Sequence, residues 1–325
     1  MMKAVLCQEL GLADKLVVVD IDAPRPGKGE VLLDVKAAGL NFPDVLMIQG
    51  LYQFRPDLPF VPGGEAAGIV TELGEGVTNV MVGDRVIFTN QVGGFAEQAV
   101  AHAETLVKMP DSMPFEVAAG FTITYATSYH AFKQRAHLKA GETVLVLGAA
   151  GGVGLAAVEL AKAAGAIVIA AASSDEKLEV CKEAGADTTI NYSSGDLRAL
   201  IKEATGGRGI DVVYDPVGSA YTEAALRSLR PEGRLLVVGF AAGDIPQIPL
   251  NLCLLKQCSI VGVFWGGFAR GNPCAQLQNM QELFSLYEKG DIKPRVDDLF
   301  PLEQVEEAFS CLTERRAKGK VILKP

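Results

Sequence analysis

The stretch ETVLVLGAAGGVGLAAVELAKAAGAIVIAAASS, Glu142 to Ser174, decides the fold. It opens with an apolar run, Val144 to Leu147, and turns through Gly148-Ala149-Ala150-Gly151-Gly152-Val153-Gly154. A helical pattern follows from Leu155 to Ala164, then a second apolar run from Ile167 to Ala171. Strand, glycine turn, helix and strand make the βαβ unit that binds a dinucleotide. The turn reads A-x-G-x-x-G (Ala149, Gly151, Gly154). Its glycines serve a tight turn, close backbone approach to a pyrophosphate, and packing of helix on strand. Free N–H groups at the helix start then receive the pyrophosphate. A bare glycine pattern is weak; its place between a strand and a helix gives it weight.

Working outward, 325 residues of which 49% are hydrophobic suit two globular domains better than one. A net charge of -9 argues against nucleic-acid binding, which needs a basic face. No basic amphipathic stretch suggests a membrane surface. A long run without charge, Val144 to Val158, contains glycines at 148, 151, 152 and 154 and lies between Glu142 and Glu159, as a buried strand-turn-helix would. The opening apolar run is too short for a secretory signal. Six scattered cysteines show no Cys-x-x-Cys, so they read as reduced, packed thiols of a cytoplasmic protein.

Residues 1 to about 122 read as β-rich. Leu16–Val19, Val31–Ala37, Ala67–Leu73, Arg85–Thr89 and Phe95–Val100 are short β-prone runs separated by turns such as Val82-Gly83-Asp84, which suggests a small barrel. Ala118 to Ala140 carries a helical pattern into the second domain. Beyond the first βαβ unit, helical segments (178–184, 197–204, 222–228) alternate with strands (188–190, 210–214, 235–238), which means a parallel sheet covered on both faces. Ser259–Val263 adds a strand, and Arg316–Lys324 closes the chain with a β-prone run. Cys274–Lys289 reads as an amphipathic helix with Leu277, Met280, Phe284 and Tyr287 facing the core.

Three motifs carry a family resemblance. Gly39-Leu40-Asn41-Phe42-Pro43-Asp44, Pro62-Gly63-Gly64-Glu65-Ala66-Ala67-Gly68-Ile69-Val70 and Val82-Gly83-Asp84-Arg85-Val86 resemble the medium-chain dehydrogenase/reductase superfamily. With Ala149 to Gly154, the chain resembles its zinc-independent quinone oxidoreductase (zeta-crystallin-like) branch from about residue 3 to the C-terminus. The fold implied is α/β: a Rossmann-type doubly wound parallel sheet plus a GroES-like β-barrel catalytic domain. The barrel is expected over 1–122, completed by 266–325, and the dinucleotide-binding domain over 123–265. Alcohol dehydrogenases of this superfamily carry a zinc-binding Cys where this chain has Leu40 or Asn41, and a His where it has Gly64. Catalytic zinc needs about three protein ligands. His102, His130 and His137 lie far from both slots in sequence, so no metal is expected.

The end of the second strand selects the cofactor. An NAD site places an acid there for the ribose 2′-OH. Here the strand ends Ala170-Ala171-Ala172-Ser173-Ser174, and the nearest acids, Asp175 and Glu176, read as caps of the next helix. Ser173 and Ser174 can donate to a 2′-phosphate, and Lys177 can pair with it. With Ala150, Gly151, Gly152 and Val153 at the pyrophosphate, these residues favour NADPH. The resemblance adds Tyr192 beside the adenosine and phosphate, and Arg315 (or Arg316) on the phosphate side. It also places Gly239, Phe240, Phe264, Trp265 and Gly266 around the nicotinamide ring. It gives Thr127 a contact with the carboxamide, against a hydroxyl bonded within its own helix. Asn41 and Tyr52 resemble residues lining the substrate cleft; Trp265 reads equally as interface core.

Without zinc no Lewis acid polarises a carbonyl. That suits an acceptor that takes up hydride readily. The expectation is an NADPH-dependent quinone oxidoreductase. Reduction of 2-alkenals, enones or enoyl thioesters is the alternative, and a nucleotide-binding structural protein of crystallin type is a reading of another class. A symmetric homodimer through the edge strand near Ser259–Val263 is expected, with a small-molecule quinone or enone substrate and neither nucleic acid nor membrane as partner.

Overall fold

The computed structural model describes all 325 residues. The chain divides into two compact units, Met1–Ile123 with Pro294–Pro325, and Thr124–Lys293. The division falls at 293/294, not at the 265/266 read from the sequence. The segment 266–293 holds to the second unit through the helix Pro273–Lys289, whose Asn279 accepts hydrogen bonds from Lys133 and Gln134.

The first unit is built on β3 (Glu30–Gly39), a ten-residue strand. Before it come β1 (Met2–Cys7) and β2 (Leu16–Ile21), which pair with each other. After it come β4 (Glu65–Leu73), β5 (Arg85–Thr89), β6 (Gln98–His102) and β7 (Val107–Lys108). The C-terminal segment supplies β14 (Val296–Pro301) and β15 (Lys320–Lys324). The main sheet runs β14-β15-β3-β4-β5-β7, antiparallel except where β14 pairs with β15. One edge of β3 is shared: β6 pairs with Glu30–Asp34 and β15 with Ala38 and Gly39. Inward residues such as Leu33, Val35, Phe88, Phe95 and Phe309 close the core. This is the GroES-like architecture expected.

Several boundaries differ for local reasons. The run 95–100 splits: Ala96 bridges Ala4, and the strand proper starts at Gln98. The polar spacing of Val296-Asp297-Asp298 hid β14. The opening run Met2–Cys7 is a strand that buries Met2, Ala4, Val5 and Cys7.

The second unit is a six-stranded parallel sheet. In chain order its strands are β8 (Thr143–Leu147), β9 (Ile167–Ala172), β10 (Thr188–Asn191), β11 (Ile210–Asp215), β12 (Leu229–Val237) and β13 (Ser259–Gly262). Their order in the sheet is β10-β9-β8-β11-β12-β13, the doubly wound order with its switch point between β8 and β11. Every residue of β11 is buried, as a strand covered on both faces requires. β12 starts six residues earlier than the sequence suggested. Arg230-Pro231-Glu232-Gly233 lies within the strand as an irregularity in its pairing with β11. The pattern over 118–140 is not one helix: α-helical Thr127–His130 is flanked by wider π turns, Thr122–Ala126 and Ala131–Ala136, and His137 (φ 50) ends it. In Pro273–Lys289 the buried face is Asn279, Met280, Leu283 and Phe284, while Leu277 is exposed, one turn before the covered face begins. No helix is long and apolar enough to cross a membrane.

Candidate dinucleotide and substrate sites

The residues read as a dinucleotide site gather beyond the carboxyl ends of the parallel strands. After β8, Gly148 adopts φ +57, and the chain turns into the helix Gly152–Ala163. A Cβ on Gly154 would lie 2.3 Å from the Gly148 carbonyl oxygen and 2.8 Å from Ala149 backbone. That contact fixes the third glycine by helix-on-strand packing. A Cβ on Gly151 would meet only the Gly148 oxygen, at 3.5 Å, so the turn is open there to an incoming group. No side chain caps this helix. Uncapped N–H groups, the open turn and the dipole of a twelve-residue helix fit a pyrophosphate. Ala150 is buried, whereas Gly151, Gly152 and Val153 are half-exposed.

Beyond β9, Ser173 and Ser174 are half-exposed, and Ser174 is the N-cap of the helix Asp175–Glu183, its Oγ accepting from the Lys177 N–H at 3.4 Å. The capping side chain is therefore Ser174, not Asp175 or Glu176. Asp175 accepts from Asn191 Nδ2 at 2.8 Å, and Ser193 Oγ donates to the Ser173 carbonyl at 3.0 Å. These bonds tie the ends of β9 and β10 together. Tyr192 follows β10 and packs on Tyr221, ring centroids 4.6 Å apart, a partner the sequence did not suggest.

At the end of β11 the buried Asp215 organises the next turn. Its carboxylate accepts from Val217 and Gly218 N–H, both at 2.9 Å, and from Thr222 Oγ1 at 2.6 Å. Phe240 lies against Gly218, where a Cβ would come within 2.9 Å of its ring, and Gly239 N–H reaches the Asp215 carbonyl. Past β13, Phe264 is exposed, Gly266 is half-exposed, and Trp265 donates its indole N–H to Gln276 Oε1 at 2.9 Å. Trp265 is thus anchored within its own unit.

Thr127 lies on the segment that runs beside the glycine-turn helix. The hydroxyl bond to the preceding turn is made by its neighbour: Ser128 Oγ contacts the Thr124 and Val153 carbonyl oxygens at 3.0 and 3.1 Å and Tyr214 Oη at 2.8 Å. Burial raises the Tyr214 phenol above its ordinary value, so it is a neutral partner in this bond.

In the first unit, strand register places a buried polar cluster around Asn41. Ile322 pairs with Gly39 and the Leu40 N–H bonds the Val321 carbonyl, so Lys320 falls opposite Asn41. Ala66 pairs with Ala38, so Glu65 falls beside Gly39. Lys320 Nζ donates to Asn41 Oδ1 and, at 3.2 Å, to Glu65 Oε2. Asn41 Nδ2 donates to the Gly39 carbonyl at 3.1 Å and to Glu65 Oε2 at 3.3 Å. Glu65 Oε1 accepts from Ile123 N–H at 2.8 Å. All three side chains are buried: Asn41 7%, Glu65 0% and Lys320 6% exposed. Gly39 and Gly120 clear the lysine stem: Cβ atoms there would lie 2.9 and 2.4 Å from Lys320 carbons.

Asn41 also begins the helix Phe42–Ile48 in a reciprocal cap, with Asp44 accepting from the Asn41 and Gly64 N–H groups at 2.8 and 3.0 Å. Burial pushes the Asp44 carboxyl up to about 7, against those two bonds and the Lys320 charge. Of the two slots compared with zinc ligands in the sequence, that of Asn41 belongs to this lysine–carboxylate–amide network and that of Gly64 carries no side chain, its N–H bonding Asp44; no group of three or more His, Cys, Asp or Glu is arranged to hold a metal. Sequence reasoning missed Lys320 and Asp44. The Asn41-x-x-Asp44 spacing was the readable signal for the cap; nothing in the sequence pointed to Lys320, 279 residues from its partner.

Tyr52 is half-buried against the core of this unit. Arg315 is exposed in a left-handed conformation (φ 59), and Arg316 pairs with Glu307 and Glu314 at 3.1 and 2.9 Å.

Open-sheet order, glycine turn and barrel motifs define an oxidoreductase class, and the chain belongs to the medium-chain dehydrogenase/reductase superfamily, in its quinone oxidoreductase-like branch. The family model described as alcohol dehydrogenase GroES-like domain matches residues 27–111, and that described as zinc-binding dehydrogenase matches 152–285. The chain is 40% identical over 323 residues to quinone oxidoreductase-like protein 2 of Bos taurus, covering 99% of this chain and 92% of the relative. It is 37% identical over 308 residues to a quinone oxidoreductase of Pseudomonas aeruginosa, covering 94% of each. The structure of Escherichia coli quinone oxidoreductase complexed with NADPH superposes with a TM-score of 0.92 at 31% identity, covering 99% of this chain and 100% of that one.

Proposed function

We propose that the protein transfers reducing equivalents from NADPH to a quinone without zinc. The observation that carries this reading is the buried Lys320–Asn41–Glu65 network. Where zinc-dependent relatives carry a Cys and a His, this chain has Asn41, whose amide is bonded within that network, and Gly64, which has no side chain to bind a metal. NADPH, present in the E. coli quinone oxidoreductase structure, suits the end of β9, where Ser173, Ser174 and Lys177 stand and the nearest acid, Asp175, is held by Asn191.

Bound NADPH supplies the reducing equivalents at its nicotinamide. In this reading the glycine turn holds the pyrophosphate through Ala150 to Val153. Ser173, Ser174, Lys177 and Tyr192 hold the adenosine 2′-phosphate end, with Arg315 as a further phosphate ligand. Arg316, the alternative at that position, pairs with Glu307 and Glu314. Thr127 meets the carboxamide. Gly239, Phe240, Phe264, Trp265 and Gly266 border the ring. Both amide hydrogens of Asn41 are directed at protein oxygens. Asn41 is therefore a positioning residue, and Tyr52 or water meets the reduced oxygen. Most of the rate enhancement then comes from proximity and orientation.

The exposed edge of β13, beside exposed Leu250, Leu254, Leu255 and Ile260, fits a symmetric homodimer. The test is a steady-state screen of quinones, enals and enones with NADPH and NADH after dialysis against a chelator. Turnover of quinones with NADPH, intact after chelation, is the expected result. Faster turnover of enals would shift the reading to the alkenal reductases. No turnover with any acceptor would point to a nucleotide-binding structural protein, and activity lost with a bound zinc would overturn the metal-free reading.

A further inference from the structure

The helix Asn251–Lys256 ends in a closure that sets two cysteines side by side. Gln257 is left-handed (φ 54, ψ 45) and its N–H bonds the Leu254 carbonyl; the Cys258 N–H bonds the Cys253 carbonyl at 3.1 Å. These are the two bonds of a Schellman motif, which brings the side chains of its first and sixth residues into contact. In most such motifs that pair is apolar. Here it is Cys253 and Cys258. Both thiols are half-exposed, whereas Cys7, Cys181 and Cys311 are buried. Burial, together with the neighbouring Cys253, holds the Cys258 thiol above its ordinary value.

We propose that Cys253 and Cys258 form a reversible disulfide, a redox modification site at the turn between the helix Asn251–Lys256 and β13. The oxidant is a hydroperoxide. The Cys253 sulfur attacks the terminal peroxide oxygen, the O–O bond breaks, and water or an alcohol leaves, giving a sulfenic acid. The Cys258 sulfur then attacks Cys253, the S–O bond breaks, the S–S bond forms, and one molecule of water departs. Two thiols lose two hydrogens and the peroxide is reduced by two electrons. A disulfide needs close Cα atoms and converging side chains, which the motif supplies. The bridge closes a six-residue loop immediately before Ser259, the first residue of β13, and so staples the root of the edge strand. This site is independent of which acceptor the protein reduces.

The position of Lys256 makes the test direct. Trypsin cuts between the two cysteines, separating Leu235–Lys256 from Gln257–Arg270. The reduced, full-length protein is treated with hydrogen peroxide, its remaining thiols are alkylated, and it is digested without reductant. The expected product is these two peptides joined, two hydrogens lighter than their sum, with titratable thiols falling from six to four and returning to six on reduction. Cys253→Ser and Cys258→Ser should each lose the joined peptide. Two separate alkylated peptides, over-oxidation of either cysteine to sulfinic acid without cross-linking, or a bridge to Cys274 instead would overturn the proposal.

Discussion

Lys320→Met tests the buried network most sharply. Methionine keeps the length and apolar stem of lysine and removes the charge. Glu65, fully buried, would retain the Ile123 and Asn41 N–H donors and lose its counter-ion, and Asn41 Oδ1 would lose its donor. Breaking one partner of a buried pair costs about 3–5 kcal/mol. For a unit of this size, at about 2–4 °C per kcal/mol, that predicts a fall in Tm of roughly 6–20 °C. Adding Glu65→Gln removes the orphaned charge, so the double variant should recover at least about 1 kcal/mol over Lys320→Met alone. The stranded carboxyl of the single variant should also take up a proton on folding, so its deficit should shrink as pH falls. The assay is urea unfolding of the wild type, both single variants and the double variant, at two pH values. A Lys320→Met cost below about 1 kcal/mol, or additive single-variant effects, would refute the argument that the ammonium is held by Glu65.

Other expectations follow from the same geometry. Lys177→Ala should weaken NADPH binding by roughly ten- to a hundredfold and leave NADH binding little changed, read by kcat/KM for each cofactor; equal losses would make Lys177 structural. Gly154→Ala forces a Cβ against the Gly148 carbonyl and should cost about 1–3 kcal/mol together with nucleotide affinity, measured by thermal unfolding with and without NADPH. Asp44, with a folded-state carboxyl raised to about 7 from an ordinary 3.8, stays protonated on folding where the unfolded chain has ionised, so its contribution is full below about pH 4 and lost as pH rises to about 7. Asp44→Asn should therefore flatten the pH dependence of stability over that window, and an unchanged profile would show that the two backbone donors keep Asp44 ionised. Sedimentation should find a dimer at micromolar concentration, with Leu254→Glu shifting it toward monomer; a wild-type monomer would count against pairing through β13.

The sequence by itself determined the parallel sheet, because strands buried on both faces leave continuous apolar runs and their helices leave a 3.6-residue period. It determined the glycine turn for a similar reason: a backbone contact as close as that of Gly154 with Gly148 excludes every side chain, and the exclusion is written in the residue type. The barrel motifs were legible too, though Met2–Cys7 was read only as an apolar opening run, and Val296–Pro301 was hidden by its Asp-Asp pair. The break of the 118–140 pattern into π turns left no periodic trace. Tertiary structure alone decided what Asn41 does. Its partners Glu65 and Lys320 come from distant strands, and only the register of β15 on β3 and of β3 on β4 sets them around one amide. A side chain in a local pattern announces itself through spacing. A buried charge announces itself only when the counter-ion that makes burial tolerable is brought to it, and that meeting is a property of sheet register, which the residues flanking Lys320 do not encode.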